Sequence, residues 1–321
     1  MVELILGKKE KISYSDTETS YGGSETLVEA FGRNASFDPN VDTQNWTALK
    51  TAGTNDLDVP AREKGQEQWG GVLSYVPQNW QFLKFVLCGA DTEVTDTDSG
   101  TYYTHTFTNT EDNLLSFNLE RAKQASTSSV VTYVGCQVNQ YSLAWDSSDV
   151  GSFITATANI MAQDASEGSS VTGTTPPSTE GFKPRHVQLT LEDTAVAYLR
   201  SGTFTINNTL TDGFYSEYSV DRKKKESVPQ LRTYNLSAVA QYEDDTFFHM
   251  FDSADVLSST NTLELKRGTN DNLTATFTGG YLNNAPDPTN LDGANTVSLN
   301  IDINSVAFVA KDQLSDYRTF A

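Results

Sequence analysis

The 321-residue sequence predicts a mainly β protein built from two related halves. Three observations lead to this fold class. Short segments alternate between apolar and polar residues, long amphipathic helical stretches are scarce, and one run of residue types recurs at a fixed distance along the chain. Thr, Ser, Asn, Asp and Gly are frequent between these segments, which is typical of polar turns joining short strands.

The predicted strands run through the whole chain. In Thr101–Asn109, the residues Tyr103, His105 and Phe107 fall on one face, as in a half-buried strand. The other segments with alternation or with β-branched and aromatic residues are Leu115–Arg121, Val130–Val138, Tyr141–Asp146, Phe153–Met161, Val187–Leu191, Ala195–Ile206, Leu231–Tyr242, Thr262–Lys266, Leu273–Phe277, Val297–Ile303 and Val306–Val309. They predict a mostly antiparallel β protein.

Two segments are too densely apolar for exposed strands, and we predict one short helix in each half. The first runs from about Gln78 to Cys88 and contains the apolar run Trp80–Leu87. The second, Thr246–Ser253, follows the acidic residues Glu243–Asp245, whose negative charge suits a helix N-terminus.

The most informative feature is an internal similarity at a constant spacing. The matched positions, each 167 residues apart, are Phe37 with Phe204, Gly71–Tyr75 with Ala238–Tyr242, Trp80 with Phe247, and Leu83 with Met250. Between them, Val59 and Pro60 face Val228 and Pro229 with a shift of two residues, as a loop insertion would produce. We interpret this as a tandem duplication, for which chance similarity of short β segments is the alternative.

A linker is predicted at Ala165–Pro184, where Gly, Ser, Thr and Pro replace periodic hydrophobic residues. It divides the chain into a first β module, residues 1–164, and a second β module, residues 185–321. Each half is long enough to bury its own core.

The charge of the chain bears on its partners. There are 42 acidic and 22 basic residues, so the formal net charge is −20, and such a surface repels nucleic acid and anionic membranes. Solubility or a salty medium is the simplest explanation. No signal-peptide core and no apolar run of about 18 residues is visible, so we expect folding in the cytoplasm and no membrane contact.

The chain has two cysteines, Cys88 and Cys136, which lie in apolar or strand-like segments. This position indicates small buried side chains in a reducing compartment, and a single Cys88–Cys136 bridge is the alternative.

No signature of catalysis, cofactor binding or metal binding is visible in the sequence. His105, His186 and His249 are not grouped with cysteines or carboxylates at zinc-site spacing, and there is no phosphate loop or nucleophile elbow. The acidic run Asp91–Asp98 resembles a calcium loop but lacks its glycine and terminal glutamate, so we predict a solvated loop. We therefore expect no enzymatic activity, no cofactor and no metal.

One local reversal of charge is the basic run Arg222, Lys223, Lys224 and Lys225. Four cations can bind phosphate, but no aromatic residues interleave with them. A solvated loop is the simplest interpretation. Docking against an acidic surface of a second copy is the functional one, ahead of nucleic-acid binding.

Taken together, the order of these features resembles the tail tube protein family of long-tailed viruses, in its large form with two halves. The segments that carry the resemblance are Glu18–Gly23, Phe31–Phe37, Val41–Trp69, Val72–Leu87, Tyr133–Val138, Tyr141–Asp146 and Val297–Lys311. The resemblance implies two tandem β-sandwich or barrel modules, each with a short flanking helix, whose sheets join around a ring and line a hollow tube.

The resemblance also implies that a long loop of each half reaches the next ring. The matching segments are Val41–Glu67 and Thr209–Gln230, which are costly as free loops and make sense if they order on assembly. The candidate inter-ring contacts are therefore Arg222, Lys223, Lys224, Lys225, Val59, Pro60, Val228 and Pro229.

The expected partners follow from this resemblance. Three chains with duplicated halves would form a ring with pseudo-sixfold symmetry, with a hexamer of chains as the alternative. Stacked rings would form the tail of a virion, contact other tail proteins at the tube ends, and let viral DNA pass without specific binding. Alternative functions are a tail terminator or baseplate hub, a surface β-adhesin, and a carbohydrate-active enzyme.

Overall fold

The chain folds into antiparallel strands joined in a curled sheet. The computed structural model describes residues 10–31, 33–40, 42–43, 47–49, 61–63, 67–87, 91–96, 102–107, 114–123, 129–148, 151–168, 179–196, 199–211, 226–241, 257, 260–283 and 296–312. Within these ranges one short α-helix is present, which confirms the mainly β fold class.

The strands of the first half are β1 (Glu10–Thr17), β2 (Leu27–Ala30), β3 (Ser36–Pro39), β4 (Asp42–Thr43), β5 (Thr47–Leu49), β6 (Ala61–Glu63), β7 (Glu67–Tyr75), β8 (Asp91–Asp96), β9 (Tyr102–Phe107), β10 (Phe117–Lys123), β11 (Ser129–Asp146), β12 (Thr155–Ala162) and β13 (Asp164–Gly168). Those that follow are β14 (Val187–Leu191), β15 (Thr194–Ala195), β16 (Leu199–Asn207), β17 (Thr233–Gln241), β18 (Asn261–Gly268), β19 (Asp271–Leu282) and β20 (Thr296–Asp312). The helix α1 spans Leu83–Leu87, and a 3₁₀ turn spans Pro184–His186.

Strand pairing follows the same order in the two halves. In the first half the neighbours are β3–β7–β12–β11–β10–β1–β2, all antiparallel. In the second half they are β16–β17–β20–β19–β18–β14–β15, also all antiparallel. Taken in chain order, every strand of the first series has a counterpart at the same place in the second, from β1 with β14 to β12 with β20.

Pairing continues from one half into the other through β11. The first part of β11 pairs with β10 and β13, whereas residues 137–144 pair with β12 on one side and residues 140–146 pair with residues 201–207 of β16 on the other. The hairpin of β8 and β9 also links the first half to the second, because β9 pairs with the end of β20. The main sheet is therefore continuous over both halves.

Aromatic side chains fill the core of the first half where α1 meets the sheet. The ring centroids of Phe85 and Phe117 are 4.6 Å apart, and those of Tyr14 and Phe82 are 5.5 Å apart. All of these residues are buried. Burial of one such side chain contributes roughly 1.5–3 kcal/mol, so this cluster fixes the position of α1 against β1 and β10.

Two of the strands join segments that the sequence presents as separate. Val130–Val138 and Tyr141–Asp146 form one strand, β11, and Val297–Ile303 and Val306–Val309 form β20. The polar residues at each junction either keep the alternation of buried and exposed positions or lie at a β-bulge. The strand therefore continues through both junctions. Val187–Leu191 is confirmed as β14 with its predicted bounds.

The first predicted helix is shorter than expected. Only Leu83–Leu87 is helical, and the amides of Leu83 and Phe85 bond to the carbonyls of Trp80 and Phe82, three residues before them. All five residues of α1 are buried. A helix that is apolar on every side has no polar face, so the hydrophobic pattern does not show at which residue the helix begins. The second predicted helix, Thr246–Ser253, and Cys88 lie outside the described residues. No helix in the described part of the chain is long and apolar enough to cross a membrane.

Two loop predictions need correction. Asp91–Asp96 is the strand β8 and not a solvated loop, because its Thr and Val residues favour extended backbone and it pairs with β9. The predicted linker Ala165–Pro184 begins inside β13, which pairs with β11, and near its end Phe182 is fully buried. The division of the chain at this segment stays a prediction.

Strand register also differs from the predicted spacing. Phe37 pairs with Leu73 and Phe204 pairs with Leu236. If Phe37 and Phe204 are superposed, β7 and β17 are related by 163 residues (236 − 73 = 163) rather than 167. A shift of four residues keeps the inward and outward positions of a strand unchanged, so alternation alone does not detect it.

Candidate assembly interface

β3 is an open edge of the main sheet. Its inner side pairs with β7, and the amide of Asn40 donates a 3.0 Å hydrogen bond to the carbonyl of Gly70. Alternate residues of a strand face opposite neighbours, so the backbone groups of Phe37 and Pro39 point away from β7. No strand in the described ranges pairs with that outer side. Pro39 has no amide hydrogen, which is tolerated at an edge.

The end of β19 is a second open edge. Pairing between β18 and β19 ends with Asn261 opposite Phe277, and the amide of Leu257 then bonds to the carbonyl of Gly280 at 2.9 Å. Tyr281 and Leu282 pair with β20 on one side. Their other side meets no strand among the residues that the structure describes.

The solvent-facing side of the main sheet has an unusual composition. Its central rows are residues 36–39, 70–75, 140–146, 155–162, 201–207, 233–241 and 296–303, and none of these segments contains Lys, Arg or Glu, whereas the exposed Arg200 lies next to them at the start of β16. Their charged residues are Asp38, Asp146 and Asp302, all exposed. The other outward side chains are mostly Ser, Thr, Asn and Gln. The central rows of this face are therefore polar and nearly uncharged, and the cation at their border is Arg200, near Asp146.

Amide and carboxylate groups on this face bond to one another. Asn235 Nδ2 donates to Asn300 Oδ1 and to Asp302 Oδ1, both at 2.9 Å. Asn283 Nδ2 donates to Asp302 Oδ2 at 2.6 Å. These bonds run across β17 and β20 to the end of β19 and occupy polar groups that could otherwise bind a ligand.

Both ends of the predicted loop Thr209–Gln230 are fixed beside the C-terminal end of α1. Asn208 is fully buried, and its Nδ2 donates to the carbonyls of Val86 at 3.0 Å and Val138 at 2.8 Å. Arg232 donates from Nε to Asn208 Oδ1 at 2.6 Å and from Nη1 to the Leu87 carbonyl at 3.0 Å. These buried bonds hold the loop ends in one place.

Beyond these anchors the two ends of the loop form a short stem. The amide of Thr211 bonds to the carbonyl of Val228, and that of Gln230 bonds to the carbonyl of Thr209, both at 3.3 Å. Leu210 and Pro229 form the bridge between them.

The stem presents apolar side chains to solvent. Val228 is 48% exposed and Leu231 is 74% exposed. Of the predicted inter-ring contacts, Val228 and Pro229 thus lie on the stem, whereas Arg222, Lys223, Lys224, Lys225, Val59 and Pro60 lie outside the described residues. Leu231 was missed because it was included in the predicted strand Leu231–Tyr242, whereas β17 begins at Thr233.

Titratable groups with shifted pKa values lie away from the open edges. Burial raises the pKa of Glu18, and hydrogen bonds from Ser116, Gly135 and Gly22 oppose this shift. Burial raises the pKa of the Cys136 thiol, which is free and buried. Burial, with the nearby charge of Arg185, lowers the pKa of His186.

These groups do not form a metal site in the described part of the chain. His105 is fully buried, and its Nε2 lies 3.7 Å from Asp312 Oδ1. No group of three or more His, Cys, Asp or Glu side chains that could hold a metal ion is found among the residues described. His249 lies outside them.

A cavity of about 650 Å³ lies between Asn79, Tyr102, Thr179 and the turn that joins β18 to β19. Arg267 lines it, but the Arg267 guanidinium already bonds to Asp271 at 2.6 Å and lies over the Phe182 ring, 4.6 Å from its centroid. The cation is therefore neutralised within the cavity wall, which leaves little attraction for an anionic ligand.

Comparison with known protein families identifies a match over most of the chain. A family model described as phage tail tube protein matches residues 16–310. This match confirms the resemblance found in the sequence. None of the curated proteins matches the chain.

Proposed function

We propose that this chain, which belongs to the phage tail tube protein family, is the major tail tube subunit and forms stacked rings around a central channel for the genome. The family is one of structural components of the virion tail and not of enzymes. The observation that carries the channel proposal is the polar face of the continuous sheet, whose central rows contain no Lys or Arg.

A wall with this face suits the passage of DNA. Lysine and arginine side chains bind phosphates and release counterions, so cations in the wall would hold the genome. Asp38 and Asp302 instead give a weak repulsion, whereas the charge of Asp146 is offset in part by Arg200. Hydroxyl and amide groups that bond to each other, as Asn235 does to Asn300, offer few contacts to a sliding duplex.

The two open edges suit a ring. Edge strands leave backbone groups unpaired, and joining edge to edge around a closed ring pairs these groups and leaves no edge for open-ended aggregation in the ring plane. The identical strand order in the two halves supports tandem duplicated modules. With two modules in each chain, three chains form a ring of six modules, and a ring of six chains is the alternative.

The loop stem suits the stacking of rings. Val228 and Leu231 are apolar and exposed on an anchored base, which is the arrangement expected of a surface that a second molecule covers. The basic run Arg222–Lys225 precedes Val228 in the same loop and would dock on the acidic surface of the next ring. Other tail proteins would contact the last rings at the tube ends.

A charge placed in the channel tests this function. Thr205→Lys adds a cation to the middle of the polar face, and Thr205→Gln is the matched neutral control. We expect virions with Thr205→Lys to have tails of normal length but slower genome delivery, because each ring then holds phosphates. Unchanged delivery with Thr205→Lys would show that this face does not line the channel.

A further inference from the structure

We propose that the outer edge of β3 pairs with the end of β19 in a second copy of this chain, in the register of the β11–β16 junction. The proposal rests on the proposed function, and it adds which edges meet and which residues lie opposite each other. In a ring, the β3 edge of each copy is thus covered by β19 of one neighbour, and its β19 edge by β3 of the other neighbour.

The internal junction between β11 and β16 is the template. Residues 140–146 of β11 pair with residues 201–207 of β16, so that Gln140 lies opposite Asn207, and Ser142 lies opposite Thr205. This junction joins the fourth strand of the first series to the first strand of the second. The corresponding strands without such a partner are β19, the fourth of the second series, and β3, the first of the first series.

The pairing register across each half sets the correspondence of residues. In the first half, Phe37, Leu73, Ala158 and Tyr141 lie side by side on β3, β7, β12 and β11. In the second half, the residues side by side on β16, β17, β20 and β19 are Phe204, Leu236, Ile301 and Leu282. Tyr141 therefore corresponds to Leu282, and Phe37 to Phe204.

A second part of the sheet yields the same correspondence independently. Pairing of β11 with β10 ends at Cys136, opposite Phe117, and pairing of β19 with β18 ends at Phe277, opposite Asn261. Tyr141 follows Cys136 by five residues, and Leu282 follows Phe277 by five residues (141 − 136 = 282 − 277 = 5). The pairing with β10 and with β18 therefore ends at equivalent residues of β11 and β19, after which each strand can pair with a new partner.

Transfer of the template fixes the contacts between copies. Asn283 of one copy lies opposite Asp38 of the next, as Ser142 lies opposite Thr205. Tyr281 lies opposite Asn40, and Leu282 lies opposite Pro39, which takes the place of Ile206. The Pro39 carbonyl can accept the Leu282 amide, but Pro39 has no amide hydrogen to donate in return.

Disulfide trapping between two variants, each with one cysteine added to the native Cys88 and Cys136, tests this register. The amide of Asn208 bonds to the Asn139 carbonyl, so Ser142 and Thr205 form a non-hydrogen-bonded pair. Such pairs have Cα atoms roughly 4.5 Å apart, within the range that a disulfide spans. Chains with Asp38→Cys are mixed with chains with Asn283→Cys at high concentration, oxidised, and separated on a non-reducing gel beside the wild type.

Two controls define the result. The double variant Ser142→Cys/Thr205→Cys should form the same bond within one chain. Ser36→Cys mixed with Asn283→Cys is two residues out of register and should crosslink at least about tenfold less than Asp38→Cys with Asn283→Cys. The double variant Asp38→Cys/Asn283→Cys should yield a covalent ladder that stops at the number of chains in a ring.

The outcomes separate this inference from the proposed function. A crosslinked heterodimer of the expected mass supports the junction. If this heterodimer forms but no tubes are seen, only the proposed tube is overturned. Rings seen by electron microscopy without the crosslink overturn the junction and leave the tube in place. Absence of both, while the Ser142→Cys/Thr205→Cys bond forms, overturns both.

Discussion

The backbone amide of Gly135 donates a 2.7 Å hydrogen bond to the Oε1 atom of Glu18. The other carboxylate oxygen of Glu18 accepts the amide of Gly22 at 2.9 Å. Gly135 lies in β11, just before the point where this strand changes partner from β10 to β16. The carboxylate therefore ties the segment after β1 to the strand that joins the two halves.

The Glu18 carboxyl should make stability depend on pH. Burial raises the pKa of Glu18 above its usual value of 4.5, so the folded protein holds this proton more tightly than the unfolded chain. From about that value up to the raised folded pKa, the free energy of unfolding should fall as pH rises. Glu18→Gln should lack this slope when urea unfolding is measured at several pH values.

Glu25→Gln is the control for this prediction. Hydrogen bonds from the amide and hydroxyl of Thr19 lower the pKa of Glu25, so its contribution has the opposite sign and is lost as pH falls. Equal slopes in Glu18→Gln and the wild type would show that Glu18 does not titrate in this window.

Substitution of Gly135 by alanine should destabilise the chain. Its φ of 63° is in the left-handed region, and an added Cβ would lie 2.7 Å from Gln163 Cβ. We expect Gly135→Ala to lower the free energy of unfolding by roughly 1–3 kcal/mol. Gly268→Ala, whose Cβ meets nothing within 4 Å, should change it little. Equal urea midpoints for Gly135→Ala and Gly268→Ala would show that the left-handed conformation of Gly135 in β11 does not require glycine.

Charge on the loop stem should stop stacking but not ring closure. Leu231→Asp and Val228→Asp place a carboxylate where we propose that the next ring covers an apolar side chain, a contact of roughly 1.5–3 kcal/mol when fully buried. Sedimentation and microscopy should then show single rings. Thr194→Asp adds the same charge at an exposed residue of β15, outside the stem, and should still form tubes. Normal tubes from Leu231→Asp would remove the stem from the stacking surface.

Replacement of Pro39 should strengthen the contact between copies. Pro39→Ile supplies the amide hydrogen that Ile206 provides at the internal junction. One added hydrogen bond contributes about 0.5–1.5 kcal/mol, so rings should form at a roughly 2- to 10-fold lower concentration per junction. Pro39→Ala restores the same amide and should act in the same direction in concentration series followed by light scattering. No change in either variant would place the β3 edge outside the interface.

Much of the fold was accessible from the sequence because alternation reports burial. The alternation of Tyr103, His105 and Phe107 predicted β9, and Val187–Leu191 was predicted with its observed bounds. The match to the tail tube family was visible in the order of such segments.

What the sequence did not predict depends on long-range pairing. The β7–β17 register, β8 and the length of α1 are set by partners far along the chain, such as β9 for Asp91–Asp96. The anchors of the loop stem, Asn208 and Arg232, are single polar residues 24 positions apart, and only packing against Val86 and Leu87 shows their role. The two open edges are likewise visible only once every other strand has its neighbour.

The most direct test of the central claim is a cryo-electron microscopy reconstruction of the assembled chain. We predict stacked rings around an open channel, with the face that bears Ser142, Thr205 and Asp302 lining the channel and a β sheet that runs unbroken from β19 of one copy into β3 of the next. A stable monomer at all concentrations, or a channel lined by a different surface, would contradict the account.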